Sequence, residues 1–116
     1  MQLSQAWKRH AATNLVAALE STGPVATRLQ EIAQPTKAEP EMRAWARENN
    51  AAAAQVAEID HLRLDATAAL LRDFNISNPE LARALYAAGI GLAALPTTAK
   101  NDTSMATLVD LVLALR

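Results

Sequence analysis

The sequence predicts an all-α fold, a six-helix orthogonal bundle whose last two helices form a four-helix dimer interface. Alanine, the residue with the highest helix propensity, makes up about a quarter of the chain. Glycine occurs only 3 times and β-branched residues never cluster, so no segment has the pattern of a strand. Apolar residues recur at helical spacing in segments that proline, glycine and asparagine separate.

Length and composition narrow the class of protein. With 116 residues the chain is expected to form a single domain over residues 1–116. A net charge of −1 leaves no broad basic face for nucleic acid. The absence of cysteine excludes disulfides and thiol chemistry and agrees with a cytoplasmic location. No apolar stretch approaches the ~18 residues that a membrane span needs, so we expect no membrane partner.

The first two helices are predicted from their breakers. Apolar residues at one-face spacing predict a helix over residues 3–19, which ends because Gly23 can close a helix and Pro24 cannot continue it. A short second helix follows, with Leu29 and Ile32 facing inward, and it ends before Pro35.

A loop over residues 36–40 is expected to lead into the third helix, residues 41–48, with Pro40 at its first position. Met42 and Trp45 share the inward side of this helix, whereas Arg43 is expected on the exposed side. The longest helix is predicted from Ala51 to about residue 74. Its apolar arc is wider than a surface helix needs, so we expect it to be central.

The last two helices carry the main functional prediction. One helix begins at Asn78 and Pro79 and ends at Pro96, and the next opens at residues 101–104. The final helix is apolar nearly all round, and a terminal helix can cover only one side against its own chain. We therefore expect a homodimer. The expected interface residues are Leu81, Leu85, Gly89, Leu92, Met105, Leu108, Val109 and Val112.

Two glycines inside the fifth helix have two interpretations. Glycine in a helix interior costs about 1 kcal/mol relative to alanine. Gly89 and Gly91 therefore indicate either a close approach of another helix or a local bend, or they are simply tolerated in a buried helix.

Three segments in order, residues 41–50 (EMRAWARENN), 56–63 (VAEIDHLR) and 78–92 (NPELARALYAAGIGL), resemble the C-terminal regulatory domain of TetR-family transcriptional regulators. Residues 3–19 resemble the helix that links this domain to the DNA-binding domain. The resemblance implies an effector-sensing and dimerisation domain that binds a small apolar or amphipathic molecule. No segment combines a tight glycine turn with a basic recognition helix, so we expect operator DNA to be bound only by a helix-turn-helix domain outside this chain.

Candidate ligand-binding residues are those that combine apolar area with a polar tip, together with apolar walls. They are Met42, Trp45, Ile59, His61, Arg63 and Tyr86. For Trp45, a pocket and a core position are equally expected. His61 beside Asp60 is more typical of a surface pair, and Arg63 could bind an acidic ligand or pair with Asp60 or Glu58.

Catalytic and metal-binding patterns are weak. Glu58, His61 and Asp65 share part of one helix face. No second histidine and no helix with a matching carboxylate completes a metal site, so a solvated polar edge is favoured. We expect no metal, no cofactor and no enzymatic activity. The alternative function is a helical protein-interaction module without a small-molecule site. A sensor should have an internal cavity on the order of several hundred Å³ lined by Trp45 and its neighbours, whereas an interaction module should be solid inside, with only an exposed apolar groove.

Overall fold

Six α-helices make up the computed structural model, which describes residues 3–95 and 102–116. They are α1 (Leu3–Glu20), α2 (Val25–Ala33), α3 (Glu39–Ala46), α4 (Asn50–Asp73), α5 (Pro79–Ala94) and α6 (Ser104–Leu113). These ranges contain no β-strand, which confirms the all-α prediction. Among them, no helix is long and apolar enough to cross a bilayer.

Side-chain caps set the starts of the two longest helices in the second half of the chain. The Asn49 side chain accepts a hydrogen bond from the Ala52 N–H at 2.9 Å, and the Asn78 side chain accepts one from the Glu80 N–H at 3.0 Å. Each asparagine satisfies one of the free N–H groups of a helix start. The predicted boundaries at Pro96 and Asn101 fall outside the described residues.

The third helix begins earlier than predicted. Glu39 belongs to α3, although the sequence placed it in the preceding loop, and Pro40 lies in the first turn of the helix. Pro40 suits the first turn of a helix, where its missing N–H is not needed. The consequence is that Glu39 occupies a fixed helical position, four residues before Arg43 and on the same face.

α4 is the central helix, as predicted, because it packs against α1, α2, α3 and α5, while α6 packs on α2 and α5. The apolar residues form two clusters. The main core comprises Leu15, Ala18, Leu29, Ile32, Leu70, Leu71, Ile76, Ala82, Leu85, Val109, Val112 and Leu113. The N-terminal cluster comprises Trp7, Ala11, Met42, Ala52, Val56 and Ile59.

The buried face of α4 is narrower and more polar than its apolar arc predicted. Arg63 and Thr67 are buried between Ile59 of the N-terminal cluster and Leu70 of the main core. Leu62, by contrast, is 40% exposed. The prediction of a wide apolar arc is wrong here, because the face that α4 packs against its neighbours is a narrow stripe that includes two polar residues.

The residues expected at a dimer interface differ in how far the chain itself buries them. Leu85, Gly89, Val109 and Val112 are buried, and Leu81, Leu92, Met105 and Leu108 are partly buried. The terminal helix therefore covers one side against its own chain. On its outer side Leu111 and Leu115 are 63% and 64% exposed.

Gly89 marks a close approach between helices. A Cβ built on Gly89 would lie 3.0 Å from the Ala33 carbonyl oxygen and 3.4 Å from the Ala33 Cβ. A Cβ built on Gly91 would meet nothing within 4 Å. Of the two interpretations of this glycine pair, close approach applies to Gly89 and simple tolerance to Gly91.

Alanine at these two positions should have opposite effects on stability. Gly91→Ala should raise the free energy of unfolding by about 0.5–1 kcal/mol through helix propensity. Gly89→Ala should gain the same propensity but lose about 1–3 kcal/mol, because the last turn of α2 must move. Urea unfolding of both variants and the parent chain gives the comparison. Equal stabilisation by the two substitutions would show that α2 and α5 are not tightly apposed.

Candidate functional site

The structure brings together only some of the candidate ligand residues. Arg63 and Tyr86 meet in the interior between α3, α4 and α5. Met42 and Ile59 are buried in the N-terminal cluster. Trp45 is 36% exposed, and the His61 side chain lies in solvent, where it pairs with Asp65 at 3.2 Å. The six candidates therefore do not line one common pocket.

Arg63 and Tyr86 belong to a set of five interacting side chains that we call the charged cluster. Three helices contribute to it. Its members are Glu39 and Arg43 from α3, Asp60 and Arg63 from α4, and Tyr86 from α5.

The inner half of the charged cluster is a fully buried ion pair. Arg63 Nη1 donates to Glu39 Oε1 at 2.8 Å, and the two residues are 2% and 1% exposed. The same nitrogen lies 3.3 Å from the hydroxyl oxygen of Tyr86. A buried pair of this kind is tolerable only when its remaining polar atoms are also satisfied. Here the backbone N–H of Thr36 also donates to Glu39 Oε1, at 3.2 Å.

The outer half is centred on Arg43. Its two terminal nitrogens donate to the two carboxylate oxygens of Asp60, at 3.0 and 2.5 Å, and one of them also donates to Glu39 Oε2 at 3.0 Å. Such two-pronged arginine–carboxylate contacts are directional as well as strong. The Tyr86 hydroxyl donates to Asp60 Oδ1. Arg43 was expected to be exposed, and this expectation is wrong because it closes the outer side of the cluster.

The charges of the cluster cancel, since two guanidinium groups face two carboxylates. A hydrogen bond from Trp7 Nε1 to Thr36 Oγ1, at 2.8 Å, extends the polar contacts to α1. The cluster thus connects α3, α4 and α5 directly, and α1 through the segment before α3. Its position between the two apolar clusters makes it the main polar feature of the interior.

The ionisation of these groups follows from their partners. Burial would raise the pKa of Asp60, but hydrogen bonds from Arg43 and Tyr86 and the charges of the two arginines hold its pKa below the ordinary value. Burial would lower the pKa of Arg43 and Arg63, yet their hydrogen bonds and the facing negative charges raise it. Asp60, Arg43 and Arg63 are therefore ionised at neutral pH. The contribution of Asp60 to stability is present above its ordinary pKa of about 3.9 and is lost as the pH falls through the lowered value.

The hydroxyl of Tyr86 should lose its proton at an unusually high pH. Burial raises its pKa to about 12; its bond to Asp60 adds to this, and the hydrogen bond from Arg63 opposes it. A raised pKa in the folded state stabilises the protein below the ordinary value of about 10, and this contribution is lost as the pH rises toward the folded value.

Tyr86 is the only tyrosine in the chain, so tyrosinate absorbance reports it alone. We expect no tyrosinate signal in the folded protein near pH 10, and a signal near pH 12 or together with alkaline unfolding. The same chain in denaturant should titrate near the ordinary value of about 10 and serves as the control. A midpoint near that value in the folded protein would contradict the buried position of the hydroxyl.

A cleft lies between α3 and α5, above the charged cluster, and we call it the α3–α5 cleft. Its volume is about 300 Å³. The lining residues are Pro35, Glu39, Pro40, Arg43, Ala44 and Arg47 on one side, and Ile90, Ala93 and Ala94 on the other. Glu39 and Arg43 belong to both the cleft and the cluster, so a molecule in the cleft would lie against this ion pair.

A second depression, the Trp45 trough, runs along the surface between α1 and α3. It has a volume of about 510 Å³ and almost entirely apolar walls. The lining residues are Leu3, Ala6, Trp7, His10, Ala38, Glu41, Met42 and Trp45. The trough is open to solvent, so Trp45 lines an exposed groove rather than the internal cavity that we specified for a sensor.

Arg63 pairs with a carboxylate, one of its two expected roles, but the partner is Glu39 and not Asp60 or Glu58. The bond between Tyr86 and Asp60 was not predicted. One usable signal was present: Arg63 and Thr67 continue the four-residue spacing of the buried apolar positions, which predicts a polar group inside the bundle. Glu39 had no such signal, because it appeared to lie in a loop.

The three residues of the weak metal pattern on α4 form separate side-chain pairs. Glu58 pairs with Lys8 at 2.7 Å, and His61 pairs with Asp65. Over residues 3–95 and 102–116, no three potential metal-ligating side chains come together. In comparisons with known proteins, no family model, no curated protein and no solved structure matches this chain.

Proposed function

We propose that this chain is the effector-sensing and dimerisation domain of a TetR-like transcriptional regulator, most simply a cytoplasmic repressor. In this proposal a small apolar or amphipathic molecule controls DNA binding by a helix-turn-helix domain outside the chain. The observation that carries the proposal is the α3–α5 cleft, which joins apolar walls to a buried charged cluster shared by three helices. The segments that resemble this family supply the regulatory context.

The charged cluster supports a route from ligand to conformation. α3 packs chiefly on α4, and Arg43 reaches from α3 to both Asp60 and Tyr86. A ligand that contacts Arg43 would compete with these bonds and change how α3 sits on α4 and α5. Ligands shift such equilibria by their difference in affinity for the two states, typically about 1–3 kcal/mol.

Two exposed leucines at and just after the last turn of α6 support the homodimer. Leu111 lies in α6 and Leu115 two residues beyond its last residue, and both are exposed, whereas Leu108 is partly buried. Exposed apolar surface is a common feature of protein interfaces. Val112 is buried in the main core, so a charge there would unfold the chain; Leu111 is the position that probes association alone.

The alternative, a protein-interaction module without a small-molecule site, is favoured by one specific observation. The Trp45 trough is open and almost wholly apolar, as expected for a docking groove. The two functions differ in their demand on the α3–α5 cleft, which only the sensor needs.

The sensor proposal is tested by filling the cleft. Ala93 is exposed on the α5 wall of the cleft, so Ala93→Trp should fill it without disturbing the core. Ala84→Trp, exposed on the same helix but outside the cleft, is the matched control. A panel of small apolar and amphipathic compounds is screened for a rise in Tm. Compounds that stabilise the parent chain and Ala84→Trp but not Ala93→Trp support the sensor. If no compound binds, or if binding survives Ala93→Trp, the cleft is not an effector site.

Dimerisation is measured separately by the solution mass over a dilution series. The parent chain should remain a dimer at low concentration, and Leu111→Asp should be a folded monomer. Leu19→Asp, at an exposed leucine of α1, is the control and should leave the mass unchanged. A monomeric parent chain would remove the dimer from the proposal.

A further inference from the structure

Arg47 gives the α3–α5 cleft a positive charge that the protein itself does not balance. Glu39, Arg43 and Arg47 are spaced four residues apart and share one face of α3. The charged cluster is neutral, so Arg47 adds one net charge at the rim. Within the described part of the chain, every ion pair is made by other residues.

We propose that the α3–α5 cleft binds a small organic anion with an apolar body, whose carboxylate pairs with Arg47 and reaches Arg43. This inference rests on the proposed function, since it names the class of effector that the cleft accepts. Guanidinium groups bind carboxylates through paired hydrogen bonds and are less strongly hydrated than ammonium groups, which suits a partly buried contact.

The opposite wall of the cleft suits the apolar body. Ile90, Ala93 and Ala94 of α5 face Pro40 and Ala44 of α3, and none of these side chains carries a polar group. A volume of about 300 Å³ is at the lower end of the range for ligand pockets, about 300–1,000 Å³. The cleft therefore fits a short aliphatic or small aromatic acid better than a long lipid.

One opposing effect must be weighed. The cleft meets the last turn of α5, and this helix end carries at most about half a negative charge, which favours cations. Along α3 the lining runs from the first turn, at Glu39, to Arg47 just after the last residue. Arg47 sets one full positive charge against the partial charge of the α5 end, since the charge of Arg43 is already balanced by Glu39 and Asp60. The carboxylate would also touch the guanidinium groups directly, whereas the helix-end effect falls off within one turn. The anion is therefore the favoured ligand.

The test compares three probes with the same apolar chain, namely octanoate, octanol and octylammonium, by calorimetric titration at low ionic strength. Octanoate should bind the parent chain at least about tenfold more tightly than octanol, as one charge-assisted contact implies. Arg47→Gln should lower the affinity for octanoate by about tenfold and leave the affinity for octanol unchanged. Arg83→Gln removes an arginine of α5 that does not line the cleft, so it should change neither the affinity for octanoate nor that for octanol.

The outcomes separate the anion proposal from the sensor proposal. Octanoate binding that weakens in Arg47→Gln and not in Arg83→Gln supports the anion. If octanol or octylammonium binds as tightly as octanoate, or if Arg47→Gln binds octanoate normally, the anion proposal is wrong while a ligand site remains. If none of the three probes binds, the anion proposal is wrong and the cleft loses its claim to be an effector site.

Discussion

Replacing Glu39 with alanine should reduce the free energy of unfolding by about 3–5 kcal/mol, the typical cost of leaving one member of a buried ion pair alone. The reason is that Arg63 is 2% exposed and would lose its carboxylate partner without gaining water. Arg43 would lose one of its two carboxylates, and the Thr36 N–H would lose its acceptor. Chemical denaturation followed by circular dichroism measures the effect.

Glu41→Ala is the matched control, because Glu41 is an exposed carboxylate in the same first turn of α3. Its effect should be within about 0.5 kcal/mol. The double variant Glu39→Gln with Arg63→Met removes both buried charges and keeps an oxygen that can accept from the Thr36 N–H, so it should recover most of the loss. A Glu39→Ala variant as stable as Glu41→Ala would show that the Glu39–Arg63 pair is not buried.

Leu85→Ala should reduce the free energy of unfolding by about 2–5 kcal/mol. Leu85 is 0% exposed and lies in the main core, to which α1, α2, α4, α5 and α6 all contribute residues. The substitution removes apolar contacts and leaves a cavity that surrounding helices can close only in part. Urea denaturation of the purified variant gives the value.

Leu95→Ala controls for the loss of a leucine as such. Leu95 follows the last residue of α5 and is 60% exposed, so its removal should cost no more than about 0.5 kcal/mol. A comparable loss in the two variants would mean that Leu85 does not face the interior. Because Leu85 was also expected at a dimer interface, the solution mass of Leu85→Ala is measured at the same time. Destabilisation of a monomer assigns Leu85 to the core of a single chain.

The helices could be predicted from the sequence because local signals determine their ends. Pro24 and Pro35 bound the second helix, and Asn78 with Pro79 starts the fifth, as the structure confirms. Gly23 does not close the first helix as predicted, because α1 already ends at Glu20 and Gly23 has no positive φ. These residues act through their own backbone or through a side chain that caps the next turn. Such signals need no knowledge of the rest of the chain.

The charged cluster could be predicted only in part, because its contacts join residues far apart in sequence. Arg63 and Tyr86 are candidates because their side chains are amphipathic, but this property does not identify the residues that they contact. The partner Glu39 is 24 residues before Arg63, and it depends on α3 starting at a residue that appeared to belong to a loop. Long-range pairing is set by how helices pack, which periodicity within one helix does not specify. For the same reason the homodimer and its interface stay predictions.

The short third helix has an attachment unlike that of the other five. Its fully buried residues are Glu39 and Met42, so one apolar side chain and a set of ion pairs hold it on α4. Helices with little buried apolar area open locally at a lower free energy than the protein unfolds as a whole. α3 should therefore behave as a separate cooperative unit, whose opening exposes Arg63 while the main core stays intact. The segment that borders the cleft is then held on the bundle mainly by polar contacts.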